Sequence, residues 1–389
     1  MSRLILVGKV NLNSYRKKKS MDKRKVCCFC EKWESGGIES FLHNVITEMD
    51  LSCLEIDIVA AQICESVFTA DLKEKGVRFY ELSGSQRKLW QNHKTFRQLL
   101  EKRQYDVVHL NIFHGLSLYY AYLAKRYGVP VRIAHSHNSA LRQSKTRWLK
   151  LLLHNIAKRL LAKNTTSFWA CSKLAAEFMF PKDVVEKYEF IPNGIDVEKF
   201  RFDNELRAKV RKDLGIENKL VIGNVGRLCY QKNQEYLLEV FAKLQSERSN
   251  SVLLLVGEGQ MKEGLQQQAK KLGIADKVIF YGVTDKVEQL LWAMDLFVFP
   301  SRFEGLGIVV VEAQATGLPV VCSDNVPDEA VVTDLVQKIK LSNSADVWAE
   351  SILNCQATMD RQAFNEQVRQ SGFAVADVAD RIEKAYLGL

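Results

Sequence analysis

No stretch of this chain holds enough consecutive apolar residues to cross a bilayer as a helix. The opening run at residues 4–7 is too short for the core of a secretion signal. Asp-x-Asp occurs nowhere, so the paired carboxylates that often hold a divalent cation against a diphosphate are missing. No full Gly-x-Gly-x-x-Gly follows a strand-like run, which leaves a nicotinamide cofactor without support. Cysteine appears nine times, an odd number, in no framework spacing. Cys27 and Cys30 have C-x-x-C spacing, but they fall in an apolar strand-like run where residues three apart face opposite sides. Reduced, buried thiols of a cytosolic protein are the expectation there, not a metal site. His135 and His137 likewise have no acidic or cysteine partner at ligand spacing. No metal is expected.

What is present is a chain of 389 residues, longer than one typical core, so two domains are expected. Hydrophobic residues make up 47% and charged residues 26%, which excludes a largely disordered chain. Charge is uneven: residues 1–200 hold 33 Lys and Arg against 20 Asp and Glu, while residues 201–389 hold 22 against 26. A basic first half suits an anionic membrane surface, a pyrophosphate-bearing acceptor or nucleic acid; a merely solubilising surface is the alternative. Residues 1–24, with the run Arg16-Lys17-Lys18-Lys19, read as a flexible tail, and Met21 as an alternative start.

From Lys25 onward short apolar runs alternate with amphipathic stretches, the pattern of parallel α/β layers. Strands are predicted at 26–30, 54–60, 77–80, 107–110, 131–134 and 167–170, with helices up to Met49 and at 95–103 and 116–127. A turn-rich stretch at 190–196 and a polar connection at 203–218 separate a second set of strands at 220–225, 252–256, 277–281, 296–299 and 319–322. The domains are therefore 25–200 and 203–374, with a helical segment at 375–389.

The chemistry concentrates at Ser301–Ala313, where a strand gives way to a glycine loop and a helix. Glu304 and Glu312 stand with seven residues between them in the frame E-G-L-G-x4-E, around Gly305, Leu306, Gly307 and Ile308. Such a loop offers N–H groups and a helix dipole to a phosphate, and its carboxylates can hold hydroxyls. That combination suits a nucleotide sugar. Gly226 and Arg227 follow the second unit's first strand, and Lys232 lies five residues past Arg227, a turn with two cations suited to a diphosphate. Gly36 and Gly37 open the first helix. His135 and His137 end a strand, His109 and His114 flank another, and Val283 lies in a turn after a third.

These motifs resemble glycosyltransferase family 4, retaining enzymes of the GT-B fold, in which two Rossmann-like domains with parallel sheets face each other across a cleft. The resemblance covers nearly everything from Lys25 onward. It implies that Glu304 contacts the donor sugar and Glu312 the ribose, while Arg227, Lys232 and the loop at Gly305–Ile308 face the diphosphate. It also implies that Gly36 and Gly37 border the diphosphate across the cleft, that Val283 meets the base, and that the last helix crosses back onto the first domain. His137, with His135 as the alternative, would orient the donor; His109 and His114 would line the acceptor side.

The implied activity is metal-independent transfer of a hexosyl group from a nucleotide diphosphate sugar, with UDP favoured, to an acceptor hydroxyl. No cofactor is implied beyond that donor. The pattern is most similar to bacterial enzymes that build capsular or exopolysaccharide units on a polyprenyl-diphosphate carrier. Nucleic acid is not an implied partner, and the implied location is the cytoplasm or the inner face of the plasma membrane. A UDP-sugar isomerase of the same fold and a non-catalytic partner subunit are the competing readings.

Residues 142–163 form an amphipathic helix by period. Trp148, Leu149, Leu152, Leu153, Ile156 and Leu160 share one face, expected to dock on the sheet. Arg147, Lys150, His154 and Lys158, with Leu151 and Leu161 among them, fall opposite. The alternatives are a wet basic surface or contact with an anionic membrane or the acceptor, for which Arg147, Trp148, Lys150, Leu151, Lys158 and Leu161 are the candidates.

Overall fold

The computed structural model describes residues 23–34, 36–141, 145–355 and 360–389. The expected tail at 1–24 lies almost wholly outside these residues, and the start of the helix expected at 142 does as well.

Two parallel sheets organise the chain. The first contains β1 (Arg24–Cys30), β2 (Leu54–Ala60), β3 (Arg78–Glu81), β4 (Val107–Ile112), β5 (Val131–Ser136), β6 (Ser167–Ala170) and β7 (Glu189–Phe190), in spatial order β3-β2-β1-β4-β5-β6-β7. The second contains β8 (Leu220–Val225), β9 (Ser251–Val256), β10 (Val278–Gly282), β11 (Leu296–Phe299), β12 (Val320–Ser323) and β13 (Val336–Ile339), in order β10-β9-β8-β11-β12-β13. Central strands such as β4 and β9 are buried along their whole length, so they are apolar on both faces and not alternating. In each sheet the order reverses beside the first strand of the unit, between β1 and β4 and between β8 and β11. Loops leaving the carboxyl ends of these strand pairs diverge and leave a crevice for a ligand.

The chain passes between the two units twice, side by side. Ile195 donates its N–H to Phe373 O at 2.8 Å, and Val375 returns a bond to Ile195 O at 2.9 Å. The terminal helix Val375–Leu387 then buries Val378, Ala379, Ile382 and Tyr386 with Val26, Cys28, Phe41 and Val45 of the first unit. The stretch at 203–218 is more than a polar connection. It contains the helix Asn204–Asp213, whose Arg207 and Arg211 hold Asp295 at 2.6 and 3.1 Å. Its polarity reflects guanidinium groups turned inward.

The helix Arg147–Leu161 forms with its faces exchanged relative to expectation. Trp148, Leu149, Leu152, Leu153, Ile156 and Leu160 are exposed, whereas Leu151 and Leu161 are half-buried and His154 is buried. Arg147 and Lys158 are half-buried too, and only Lys150 of the expected basic face stands fully in solvent. The reason is polar. His154 Nδ1 accepts the Gly115 N–H at 2.9 Å, His154 Nε2 donates to Phe178 O at 2.9 Å, and Lys158 Nζ donates to the same carbonyl at 2.9 Å.

Candidate functional site

β11 ends in a loop that turns into the helix Ile308–Ala315. Gly307 caps that helix with φ of 81°, a left-handed conformation that glycine adopts without steric cost. At Gly305 the requirement is room: a Cβ there would lie 2.1 Å from His137 O, so only glycine lets this loop press against the first sheet's loop. Two serines, Ser139 after β5 and Ser172 after β6, tie loops of the first sheet to it. Ser139 Oγ donates to Glu304 O at 2.5 Å, and Ser172 Oγ donates to Gly305 O. The histidine-bearing loop after β5 and the glutamate-bearing loop after β11 therefore form one surface.

Glu304 is buried by this packing. Lys232 Nζ meets its Oε1 at 2.8 Å, and Gln231 Nε2 donates to Oε2 at 3.3 Å. Lys232 also sits 4.6 Å above the Phe299 ring, which fixes the ammonium at the mouth of β11. It is carried there by the turn after β8, just ahead of the helix Gln234–Glu247. Arg227, at the same strand end, is exposed and reaches across to Glu34, whose carboxylate lies 3.9 Å away. Gly226 adopts φ of 150° ahead of it.

Glu312 lies in the second turn of the helix Ile308–Ala315 and is half-buried. Burial pushes its carboxyl up to about 7, Lys199 and Lys232 pull the other way, and Glu288 reinforces the rise. Leu306, Gly305 and Gly307 are buried and Ile308 half-buried, so what this loop offers a ligand is backbone. Val283 stands 78% exposed after β10. Gly36 and Gly37 begin the helix Gly37–Glu48 at the end of β1, with Arg227 close by on the opposite wall.

Of the histidines, His137 borders Gly305. Its Nε2 donates to Asn111 Oδ1 at 2.9 Å, which leaves Nδ1 as the acceptor nitrogen. Burial lowers its pKa to about 3, with Asn193 acting in the opposite direction, so the ring is neutral. His135 is not an alternative, and His109 does not line the acceptor side. Both are fully buried in a one-way chain of hydrogen bonds. His135 Nε2 donates to Ile191 O at 3.2 Å, so its Nδ1 accepts from His109 Nε2 at 3.2 Å, and His109 Nδ1 accepts from the Tyr386 hydroxyl at 2.6 Å. Burial keeps both rings neutral, with His109 lowered to about 3. His114 remains near the crevice, 3.3 Å from Glu31 at the end of β1.

Sequence reasoning passed over Glu39, Gln231, Ser139 and Ser172. Glu39 is buried in the first turn after Gly36 and Gly37, and desolvation raises its carboxyl to about 7. A carboxyl two residues after a glycine pair that opens a helix was a signal available in the sequence. The serines announce nothing, since their partners are backbone carbonyls more than a hundred residues away.

Among the described residues, no group of three or more His, Cys, Asp or Glu could hold a metal ion. No helix of the described residues is long and apolar enough to cross a membrane. What the arrangement can do chemically is place two cations and a row of backbone groups against a diphosphate, with carboxylates on either side for hydroxyls.

Comparison with known proteins places this geometry. Residues 35–199 match the family described as Glycosyltransferase Family 4, and residues 207–370 match that described as Glycosyl transferases group 1. A Bacillus subtilis protein named as the glycosyltransferase EpsF is 30% identical over 346 residues, covering 87% of this chain and 90% of its own. The Escherichia coli UDP-Gal:alpha-D-GlcNAc-diphosphoundecaprenol alpha-1,3-galactosyltransferase is 27% identical over 306 residues, covering 75% of this chain and 78% of its own. Among solved structures, Anabaena HepE in complex with UDP superposes with a TM-score of 0.77 at 20% identity, over 94% of this chain and 100% of that one. The likeness in fold is to GT-B proteins.

Proposed function

Because the chain belongs to glycosyltransferase family 4, we propose that it is a retaining, metal-independent hexosyltransferase using a UDP-sugar and a lipid-linked saccharide acceptor. The observation that carries this reading is the convergence of Lys232, Arg227, Glu304 and Glu312 on the strand-order reversal of the second sheet, facing His137. The relatives support the choice of substrates by their names alone: one transfers from UDP-Gal to a diphosphoundecaprenol-linked sugar, and HepE binds UDP.

Arg227 and Lys232 grip the diphosphate with the amides at Gly305–Ile308, and Gly36 and Gly37 close on it from the other side. Glu312 holds the ribose hydroxyls and Val283 borders the base. Glu304 accepts from a sugar hydroxyl, and the neutral His137 accepts from another at Nδ1. The bond from the anomeric carbon to the phosphate oxygen breaks, and the acceptor oxygen bonds on the same face. The acceptor's proton goes to the departing phosphate oxygen, so no protein base is required. Cations and backbone dipoles stabilise the charge that develops there, while the loops after β5, β6 and β11, tied by Ser139 and Ser172, set the geometry. The product belongs to capsule or exopolysaccharide assembly at the inner face of the membrane.

The test is a binding screen of nucleotide sugars followed by assay of the binder with undecaprenyl-diphosphate-linked acceptors. UDP release that requires acceptor, with an α-linked product from an α-linked donor, is the expected result. Conversion of the UDP-sugar without acceptor would establish an isomerase, and binding with no turnover on any acceptor would establish a partner subunit.

A further inference from the structure

Not every aromatic ring of the first unit joins its core. Trp90, in the first turn of the helix Leu89–Arg103, is 80% exposed and lies 5.5 Å from the His93 ring with 12° between the planes. His93 in turn stacks on Tyr119 at 5.4 Å and 29°, and Tyr119 lies 5.8 Å from the exposed Tyr122. The four rings form one row, supplied by the helices Leu89–Arg103 and Tyr119–Arg126. The row is held from beneath. Asn92 points the other way and is buried, donating to Ser85 O at 2.9 Å and accepting from Ser83 Oγ. Phe96, one turn on, meets Phe29 of β1 at 5.9 Å and Tyr120 at 5.0 Å, which locks the two helices together. Rolling the helix to bury Trp90 would strand Asn92 and bring Phe96 into solvent.

The chemistry of the row says what it meets. C–H groups on one face of a sugar ring carry partial positive charge and settle on the negative face of an indole, while the hydroxyls around the ring need donors and acceptors. Trp90 supplies the open face. Tyr119 and Tyr122 supply hydroxyls, and His93 gives Nδ1 to the Tyr119 hydroxyl while its Nε2 has no protein partner among the described residues. A hydrocarbon layer is a poorer occupant, since an imidazole and two phenol groups would lose their water there. Position points the same way. The helix Leu89–Arg103 follows β3 and Tyr119 follows β4, so the row begins at the carboxyl ends of the first sheet's strands, the side on which the crevice opens. Polar groups join the two. Glu31, just past β1, accepts from Ser117 Oγ and lies 3.3 Å from His114 Nε2, and Tyr119 stands two residues beyond Ser117.

We propose that Trp90, His93, Tyr119 and Tyr122 form a carbohydrate-binding row, on which the acceptor's saccharide lies beyond the sugar that receives transfer. The proposal takes from the transferase reading only that the crevice is where transfer occurs; the row's affinity for saccharide needs no donor. Its consequence is an acceptor of several sugar units, because a single sugar at the reacting position would leave the row empty.

The experiment titrates the full-length protein, without donor, with cellotetraose, maltotetraose, chitotetraose and tetragalacturonate, read by ligand-observed NMR and by tryptophan fluorescence. At least one of these tetrasaccharides binds the parent at millimolar concentration. Trp90→Ala weakens that binding roughly two- to tenfold, the worth of one ring contact, and Trp90→Tyr restores part of it. Both variants melt with the parent and bind UDP as it does, because Trp90 is exposed and stands apart from the donor site. The proposal is overturned if no tetrasaccharide binds the parent, or if Trp90→Ala binds one equally well. A parent dimer, or parent binding to phosphatidylglycerol vesicles, that Trp90→Ala abolishes while no tetrasaccharide binds would assign the row to a subunit or lipid contact instead. UDP binding measured beside it reads the other question: tetrasaccharide binding without UDP binding overturns the donor reading and leaves the row standing.

Discussion

Lys232 Nζ and Glu304 Oε1 lie 2.8 Å apart, with side-chain exposures of 17% and 5%. The cation assigned to the diphosphate and the carboxylate assigned to the sugar are thus each other's partner. On the proposed reading, a donor entering here exchanges one set of charge contacts for another, with phosphate oxygens for Lys232 and a hydroxyl for Glu304. The two roles are therefore coupled.

That coupling separates the two diphosphate cations in a stability measurement. Lys232→Ala leaves a buried carboxylate without its ion partner, at a cost of about 1–3 kcal/mol once partial solvation is allowed for. Arg227 has a 43% exposed side chain and lies 3.9 Å from Glu34, so Arg227→Ala should melt with the parent. Both variants should lose roughly ten- to a hundredfold in turnover, the value of a charge-assisted contact. Equal melting of the two, or near-parental turnover in both, contradicts the assignment.

The two glutamates should divide between binding and rate. A carboxylate on the ribose contributes equally in ground and transition states, so Glu312→Gln should weaken UDP binding. In the proposed mechanism Glu304 meets the sugar and its hydrogen bond strengthens as the anomeric centre becomes cation-like, so Glu304→Gln should chiefly lower kcat. Calorimetric titration with UDP decides between them: loss in Glu304→Gln with retention in Glu312→Gln reverses the roles.

Glu312 and Glu39 give the protein a pH signature. Each carboxyl is raised from an ordinary value of 4.5 to about 7 in the folded chain. Between those values the native state binds protons that the unfolded state has released, so stability falls as pH rises from about 4.5 to 7 and then levels. Ribose recognition by a carboxylate runs the opposite way, so UDP affinity should rise through the same window. Glu39→Gln should reduce the fall in melting temperature and leave the rise in UDP affinity; Glu312→Gln should diminish both. A pH-independent UDP affinity in the parent would argue against a ribose role for Glu312.

Activity should persist in excess EDTA, because in the proposed mechanism cations, amides and a helix terminus take the place of a divalent ion at the leaving group. Full loss on chelation, with recovery on adding Mn²⁺, is the contrary outcome.

Much of the scaffold was legible because doubly buried strands announce themselves as apolar runs bounded by glycine and proline. Pro300, Gly305 and Gly307 marked the site loop for the same reason. What escaped depended on distant partners. Period shows that the helix at 147–161 has an apolar face; it does not show that His154 will seek Gly115 and Phe178 and so turn that face outward. His109 reads like any loop-adjacent histidine until Tyr386, 277 residues on, supplies its proton. β13, with Gln337 and Lys338 on a sheet edge, lacks the apolar content that marks an interior strand.

The return of the chain through Ile195 and Phe373 has a consequence for how the protein is made. Tyr386, Ile382 and Val378 belong to the same packed cluster as Val26 and Cys28, so a segment synthesised early is completed by one synthesised as many as 358 residues later. Until residues 378–386 have left the ribosome, the first sheet lacks one wall of its core and His109 lacks its donor. The second unit, whose own cluster spans Ile222 to Ile352, has all its pieces while the first still waits.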